Sequence, residues 1–342
     1  MELGIGMFGD LHINSKGVVQ PAGKRLQEMI EEIRLMDELG LDFFGIGEHH
    51  RPDYAVATPE IILAAAATVT KHIKLGSAVS VLSSSDPVRL YQSFATIDLI
   101  SSGRAELMVG RGSFTESFPL YGYNLAHYDE LFDEKLELLI QINKEETVTW
   151  KGQFRAPLNQ QMILPRAFGN HLNLWVAVGG TPESVHRAAR WNLPVIFAII
   201  GGNPIQFKPL FEYYQKVREH FGHSGPEEVG VHMHAFFGEN SSKVADDYYP
   251  FYAAQMTRIG KQRGWPPYQR QQFDAGRSVQ GHLLIGDANE AIDKILRLQE
   301  QFGLTRFSAH MDVGAPSHAS LMKSIEIFGM QIAPKVREAL KA

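Results

Sequence analysis

Glu48-His49-His50-Arg51 puts a carboxylate, two imidazoles and a guanidinium in four consecutive positions, directly after the apolar run Leu41 to Ile46. The run reads as a buried strand. Groups able to do chemistry therefore sit at a strand's carboxyl end, where parallel α/β proteins bind ligands. An imidazole titrates near neutrality, which suits His49 to acid–base work or hydrogen-bond donation at such a mouth. A second group lies at Gly179-Gly180-Thr181-Pro182. Two glycines let a ligand approach the backbone. The helix that Thr181 would cap and Pro182 would start offers free N–H groups at its positive end, which makes an anion site. Arg111, in Gly110-Arg111-Gly112-Ser113, adds a guanidinium suited to phosphate. The plain alternative is an ordinary turn beside a surface ion pair.

Other patterns were weighed against these. His49 and His50, with His232 and His234 two apart on one strand face, could suggest a metal. No Asp or Glu completes the set at ligand spacing, and adjacent histidines at a strand end point opposite ways. We therefore expect no metal, and expect His232 and His234 to line the barrel as packing. Gly4-x-Gly6-x-x-Gly9 imitates a dinucleotide fingerprint, but it lies inside a strand and is followed by a loop, so it reads as glycine packing. No Ser-His-Asp or lysine Schiff-base arrangement stands out.

The elements that must position these groups repeat at a spacing of about 30 residues. Strands are expected at Leu3 to Phe8, Leu41 to Gly47, Ile73 to Leu82, Arg104 to Val109, Leu174 to Val178, Pro194 to Ile200, Val229 to Phe237 and Arg306 to Met311. Helical periodicity fills the gaps between them. It starts with Lys24 to Leu39 and Glu60 to Lys71, and later includes Asp287 to Phe302, where Asp287 and Glu290 suggest a capping box, and Leu321 to Leu340. Eight strand–helix units imply a (β/α)8 barrel of the TIM type over residues 1–342, with right-handed crossovers and all polar tips, Ser83-Ser84-Ser85 after the third strand included, on one face. Residues 147–173 read as a surface excursion with a short hairpin, and 265–279 as a lid. A doubly wound sheet is the competing architecture; the count of eight and the missing Gly-rich first turn disfavour it.

Composition removes several classes of function. The chain has 342 residues, 33 basic and 38 acidic, giving a net charge of −5 without blocks of like sign. Nucleic acid and membrane surfaces are not expected partners. No cysteine is present, which excludes disulfides, thiolate metal sites and a cysteine nucleophile. The start Met1-Glu2-Leu3-Gly4 lacks a secretory pattern, so a cytoplasmic protein is expected.

An ordered set of segments carries a resemblance. These are Phe44-Gly45-Ile46-Gly47-Glu48-His49-His50, Ile73 to Leu82, Asp86-Pro87-Val88-Arg89, Ile97 to Arg104, Val109-Gly110-Arg111-Gly112, Ala177 to Pro182 and Gly281 to Asp287. Together they resemble the bacterial luciferase-like flavin monooxygenase family over most of the chain. The resemblance implies a TIM barrel binding FMN at the carboxyl face of its strands, with a non-prolyl cis peptide at Ala78-Val79 beneath the flavin ring. It places Arg111 and the Gly179-Gly180-Thr181 backbone at the flavin phosphate, His49 near the reactive edge, and Glu48 and Ser113 in the pocket wall. Two positions depart from the pattern. Gly110 stands where light-emitting luciferases carry a cysteine, and Ser83 where a proline is more usual, so luminescent aldehyde oxidation is not implied.

The resulting expectation is an FMN-dependent monooxygenase. It would take reduced FMN as co-substrate from a separate NAD(P)H-dependent flavin reductase and use O2 to oxygenate a small organic substrate. His49 is the expected catalytic group, and aromatic walls are expected from Phe114, Phe118, Tyr121, Tyr123 and Tyr128. The alternatives are an F420-dependent hydride-transfer enzyme on the same barrel, or a flavin-binding protein without turnover. A homodimer is also expected, with the Ala-, Leu- and Ile-rich helices after the second and third strands as its interface, although core packing explains those residues equally.

Overall fold

Eight apolar segments, each short and buried along nearly its whole length, become the strands of the computed structural model, which describes residues 1–14, 16–112 and 114–341. They are β1 Glu2–Met7, β2 Phe43–Ile46, β3 Lys74–Ser77, β4 Ala105–Gly110, β5 Asn173–Val178, β6 Val195–Ala198, β7 Val229–Phe237 and β8 Arg306–His310. Burial on both faces is the mark of a parallel sheet covered by helices. Each strand pairs in parallel with the next, and β8 returns to β1 from Glu2↔Arg306 to Gly6↔His310, closing the barrel. The strand ends that carry polar tips therefore share one rim. The glycines of β1 behave as packing residues: a Cβ on Gly6 would lie 2.6 Å from His232 Cε1, and one on Gly4 would collide with Phe43.

Around the barrel run α1 Ala22–Glu38, α2 Pro59–Val69, α3 Pro87–Ser101, α4 Tyr128–Lys144, α5 Pro182–Arg190 and α6 Lys208–His220, followed by α7 Ser241–Gln262, α8 Arg270–Arg277, α9 Ala288–Phe302 and α10 His318–Ile327. Asp86 caps α3 by accepting from the N–H groups of Val88 and Arg89. Asp287 caps α9 in the same way, but Glu290 does not complete the expected box: its carboxylate turns to Ser241 Oγ. No helix among the described residues is long and apolar enough to cross a membrane.

Two segments differ from the sequence reading and one agrees with it. The third strand stops at Ser77, the non-prolyl cis peptide Ala78-Val79 follows, and Ser80–Val81 resumes pairing against β4 before a 3-10 turn. Residues 147–173 do form a hairpin, Thr147–Trp150 against Leu158–Met162. The stretch expected to be a lid contains α8, which anchors itself by burying Phe273 completely against Tyr249 and Tyr252.

The floor of the barrel, opposite the rim, is closed by ions. Arg306 Nη1 and Nη2 donate to Glu106 at 2.7 and 2.9 Å, and Nε donates to Glu2 at 2.8 Å. Its guanidinium lies 4.0 Å from the Trp175 ring centroid and 4.4 Å from that of Phe43. The first residues of β1, β2 and β8 and the early parts of β4 and β5 thus meet on one buried side chain. Removing the guanidinium leaves the buried Glu106 carboxylate without its bidentate partner, at a cost of about 3 to 5 kcal/mol. Arg306→Ala should lower unfolding stability by that amount in urea titration; a loss under about 1 kcal/mol would mean the floor does not hold the barrel shut.

Candidate functional site

On the rim, β2 delivers its polar tip into an aromatic enclosure. The His49 ring lies edge-on to Phe8, Tyr54 and Phe114, with centroids 4.5, 4.3 and 5.3 Å away. Its Nδ1 sits against the Glu48 carbonyl oxygen, so the hydrogen is on Nδ1 and donates there. The Nε2 lone pair is buried and has no partner among the described residues. Burial pushes the ring down to about 4, so it is neutral at physiological pH. His49 is therefore set up as a proton acceptor at Nε2. Glu48 acts as a brace: one oxygen accepts from His50 Nε2 at 2.7 Å and the other from Val81 N at 2.8 Å.

These residues enclose a narrow pocket whose walls include Phe8, His49, Val79, Val81, Phe114 and Glu116. The cis peptide forms part of its floor. Gly110 lies just below, where a Cβ would come within 2.8 Å of Val79 Cγ2, so a cysteine at this position would displace the Val79 side chain. Arg51 closes the mouth. It donates to Asp53 at 3.0 Å, Glu116 at 2.8 Å and Gln262 at 2.7 Å, and lies 4.4 Å from the Phe114 centroid. One side chain thereby ties the loop after β4 and the end of α7 to the tip of β2.

The tip of β1 is held from β8. Asp312 accepts from the backbone N–H groups of Phe8 (3.0 Å) and Gly9 (2.8 Å), from His310 Nε2 (3.1 Å) and, at 3.5 Å, from Arg25. Burial alone would raise this carboxyl, but the His310 hydrogen bond and charge, with Arg25 and the Phe8 N–H, more than reverse that and keep it ionised. His310 in turn packs on Phe8, with centroids 4.1 Å apart, and bonds His232, whose other nitrogen meets Ser308 Oγ at 3.0 Å. His234 bonds the Tyr252 hydroxyl. The two β7 histidines are thus buried packing groups, as expected. Asp10, His310 and Asp312 bring ligand atoms within 4.8 Å of one another, a juxtaposition that the sequence did not reveal. Backbone donors and Arg25 already occupy Asp312, and Gly314 N occupies one Asp10 oxygen.

Across the rim lies the expected anion site. A Cβ added to Gly179 or Gly180 would meet nothing within 4 Å, so both face open space. Thr181 starts α5 in extended conformation, and its hydroxyl donates to Ser184 Oγ, leaving backbone donors of the first turn uncapped. Arg111 and Arg187 both bond the Asp129 carboxylate, the latter at 2.9 Å, so an anion already bridges two guanidiniums here. Arg187 Nη1 is buried and without a partner among the described residues. Arg187 and Asp129 escaped the sequence reading; a basic residue five positions into a helix that starts beside a Gly-Gly turn was the available signal.

Other expected residues are more scattered. Ser113 lies outside the described residues. Ser83 and Ser84 do not form a polar rim: they are buried, the Ser83 carbonyl accepting from Lys135 Nζ at 2.6 Å and Ser84 Oγ donating to Ser117 Oγ. Of the five aromatics, Phe114 and Tyr121 approach the histidines, whereas Phe118 stacks on Tyr128 and Tyr123 covers the Lys135 ammonium.

The buried imidazoles make stability depend on pH. Burial lowers His49 to about 4, His232 to about 3, and His234 well below 6.5. Between pH 6.5 and about 4 the unfolded chain protonates all three and the folded chain does not, so stability falls as pH drops. Asp10, raised well above its ordinary value by burial and by Asp312, works in the opposite sense. Thermal unfolding should therefore move to lower temperature through this window, and His49→Phe should flatten the slope by up to about 1.4 kcal/mol per pH unit. A flat profile, or an unchanged slope in the variant, would contradict a neutral buried His49.

Known proteins resemble this chain in sequence and in fold. Residues 5–306 match the luciferase-like monooxygenase family. The oxygenase component of the flavin-dependent trigonelline monooxygenase of Acinetobacter baylyi is 24% identical over 335 residues, covering 89% of this chain and 88% of that one. The solved oxygenating constituent of 3,6-diketocamphane monooxygenase from Pseudomonas putida, in complex with FMN, superposes with a TM-score of 0.78 at 20% identity over 98% of both chains. The F420-dependent tetrahydromethanopterin reductase of Methanopyrus kandleri reaches 0.73 at 17% identity, covering 98% of this chain and 99% of that one. A match that spans residues 5–306, most of the chain, shows that this chain belongs to the luciferase-like monooxygenase family.

Proposed function

We propose that the rim binds reduced FMN and that the protein is the oxygenase half of a two-component monooxygenase. The observation that carries this reading is the unpartnered, buried Arg187 Nη1 beside Arg111 and the open start of α5, on the same rim as the unpartnered His49 Nε2. A phosphate displacing the Asp129 carboxylate would satisfy both guanidiniums and the helix N–H groups. Asp129 is half exposed and free to swing into water. Gly179 and Gly180 leave room for the backbone to meet that phosphate. When bound, reduced flavin supplies the electrons that activate O2 for transfer to an organic substrate.

The residues of the chain do the rest. Phe8, Phe114 and the Arg51 closure exclude water from the pocket. Glu48 holds Val81 N, and with it the segment after the cis peptide, while Asp312 fixes Phe8 against His49. His49 accepts or holds a proton at Nε2. The FMN complex of the diketocamphane enzyme favours FMN, and the name of the trigonelline relative as an oxygenase component supports a separate NAD(P)H-dependent reductase. Exposed Ile61, Val69, Leu99 and Ile100 on α2 and α3 favour a homodimer through those helices.

Fluorescence titration with FMN tests the reading. Arg111→Ala and Arg187→Ala should each weaken FMN by roughly tenfold or more, the worth of a charge-assisted hydrogen bond. His49→Ala should bind FMN within about twofold of the parent but release peroxide in place of oxygenated product. Arginine variants that bind FMN normally would remove the phosphate assignment. Saturation by F420 where FMN fails would replace oxygenation with hydride transfer.

A further inference from the structure

The polar atoms lining the His49 pocket can be accounted for one by one. Glu48 has both oxygens engaged, by His50 and by Val81 N. Ser117 Oγ accepts from Ser84 Oγ at 2.8 Å. Arg51 gives four of its five N–H groups to Asp53, Glu116 and Gln262. Two buried atoms remain without partners among the described residues: His49 Nε2 on the β2 side and Glu116 Oε2 on the loop after β4. Both are acceptors, because the His49 hydrogen is on Nδ1 and Glu116 is the carboxylate of the Arg51 pair. The rest of the wall is apolar or aromatic, from Phe8, Val79, Val81 and Phe114.

A desolvated acceptor left unpaired is costly, so the pocket favours a guest that brings a donor. From this pairing, and resting on the flavin reading above, we infer that the substrate is a hydroxyl-bearing aromatic, a phenol, whose O–H donates to His49 Nε2. The ring lies between Phe8 and Phe114, edge or face to aromatic edges, as their quadrupoles favour. An anionic substrate is rejected, since it would bring negative charge beside Glu48 and Glu116 in a low-dielectric site. An ammonium is disfavoured by the Arg51 guanidinium 4.4 Å from the Phe114 centroid, on the wall it would have to touch. The O–H bond stays intact: donation to Nε2 orients the ring and leaves the proton on the phenol oxygen, as an imidazole lowered to about 4 by burial and a site that rejects anions both require. Phe114 and Glu116 ride on the loop that Arg51 pins, so entry of the ring displaces that loop.

Calorimetric titration with phenol, anisole and benzoate, with and without FMN, tests this. Phenol should bind about tenfold or more tighter than anisole, which lacks only the donor, and benzoate should bind weakest. In His49→Phe, which keeps ring volume and loses the acceptor, the phenol-to-anisole ratio should fall to about one. In Glu116→Gln, at a half-exposed position where folding is safe, the ratio should shrink to an intermediate value. Equal binding of phenol and anisole, preference for benzoate, or a ratio that survives both substitutions would overturn the inference. FMN binding without the phenol preference overturns this inference alone, whereas the preference without FMN binding upholds it and overturns the flavin reading.

Discussion

Closure of the parallel sheet between β1 and β8 is the constraint on which everything else depends. Because all eight strands run the same way, closing them sends His49, Arg111, Thr181 and Asp312 to a single rim although they are spread over 264 residues of sequence. Closure also creates a floor that must be filled, and Arg306 fills it with charge neutralised by Glu2 and Glu106. The rim is then free to carry polar groups whose partners come from other strands. Asp312 shows the coupling best: it follows the last strand, yet it holds the backbone that follows the first.

The two ends of the rim are electrostatic opposites. Around β4 and β5 the surface offers guanidiniums and uncapped N–H groups, a place for a doubly charged anion. Around β2, β1 and β8 it offers the neutral His49 and aromatic rings, with Glu48 and Asp312 held by protein donors. A ligand with a phosphate at one end and a flat, weakly polar ring at the other matches that gradient. The neutral state of His49 follows from its surroundings rather than from any partner: three aromatic edges exclude water, and the Glu48 carbonyl takes the one hydrogen the ring retains.

Much of this was legible in the sequence because it is local. Apolar runs ended by Gly or charged residues marked every barrel strand but the third, whose run continues past Ser77 to Ser83, and the Pro at helix starts located α2, α3 and α5. His49 and Arg111 were visible as charged or titratable tips on those runs. What stayed hidden is what requires two distant segments. Asp312 meets Arg25 across 287 residues of sequence, Arg51 meets Gln262 across 211, and Arg187 meets Asp129 across 58. No periodicity or turn chemistry encodes such a pairing. Ser83 misled for the converse reason: a polar triplet suggests a surface, but the 3-10 turn rolls Ser83 and Ser84 inward under α4.

A crystal structure of the protein soaked with FMN addresses the central claim most directly. The phosphate is expected against the Gly180 and Thr181 backbone with Arg111 and Arg187 turned onto it and Asp129 displaced, and the isoalloxazine edge beside the His49 pocket with Nε2 left open to the substrate. FMN bound with its phosphate away from α5, or with His49 Nε2 facing protein while the ring lies elsewhere, would contradict it.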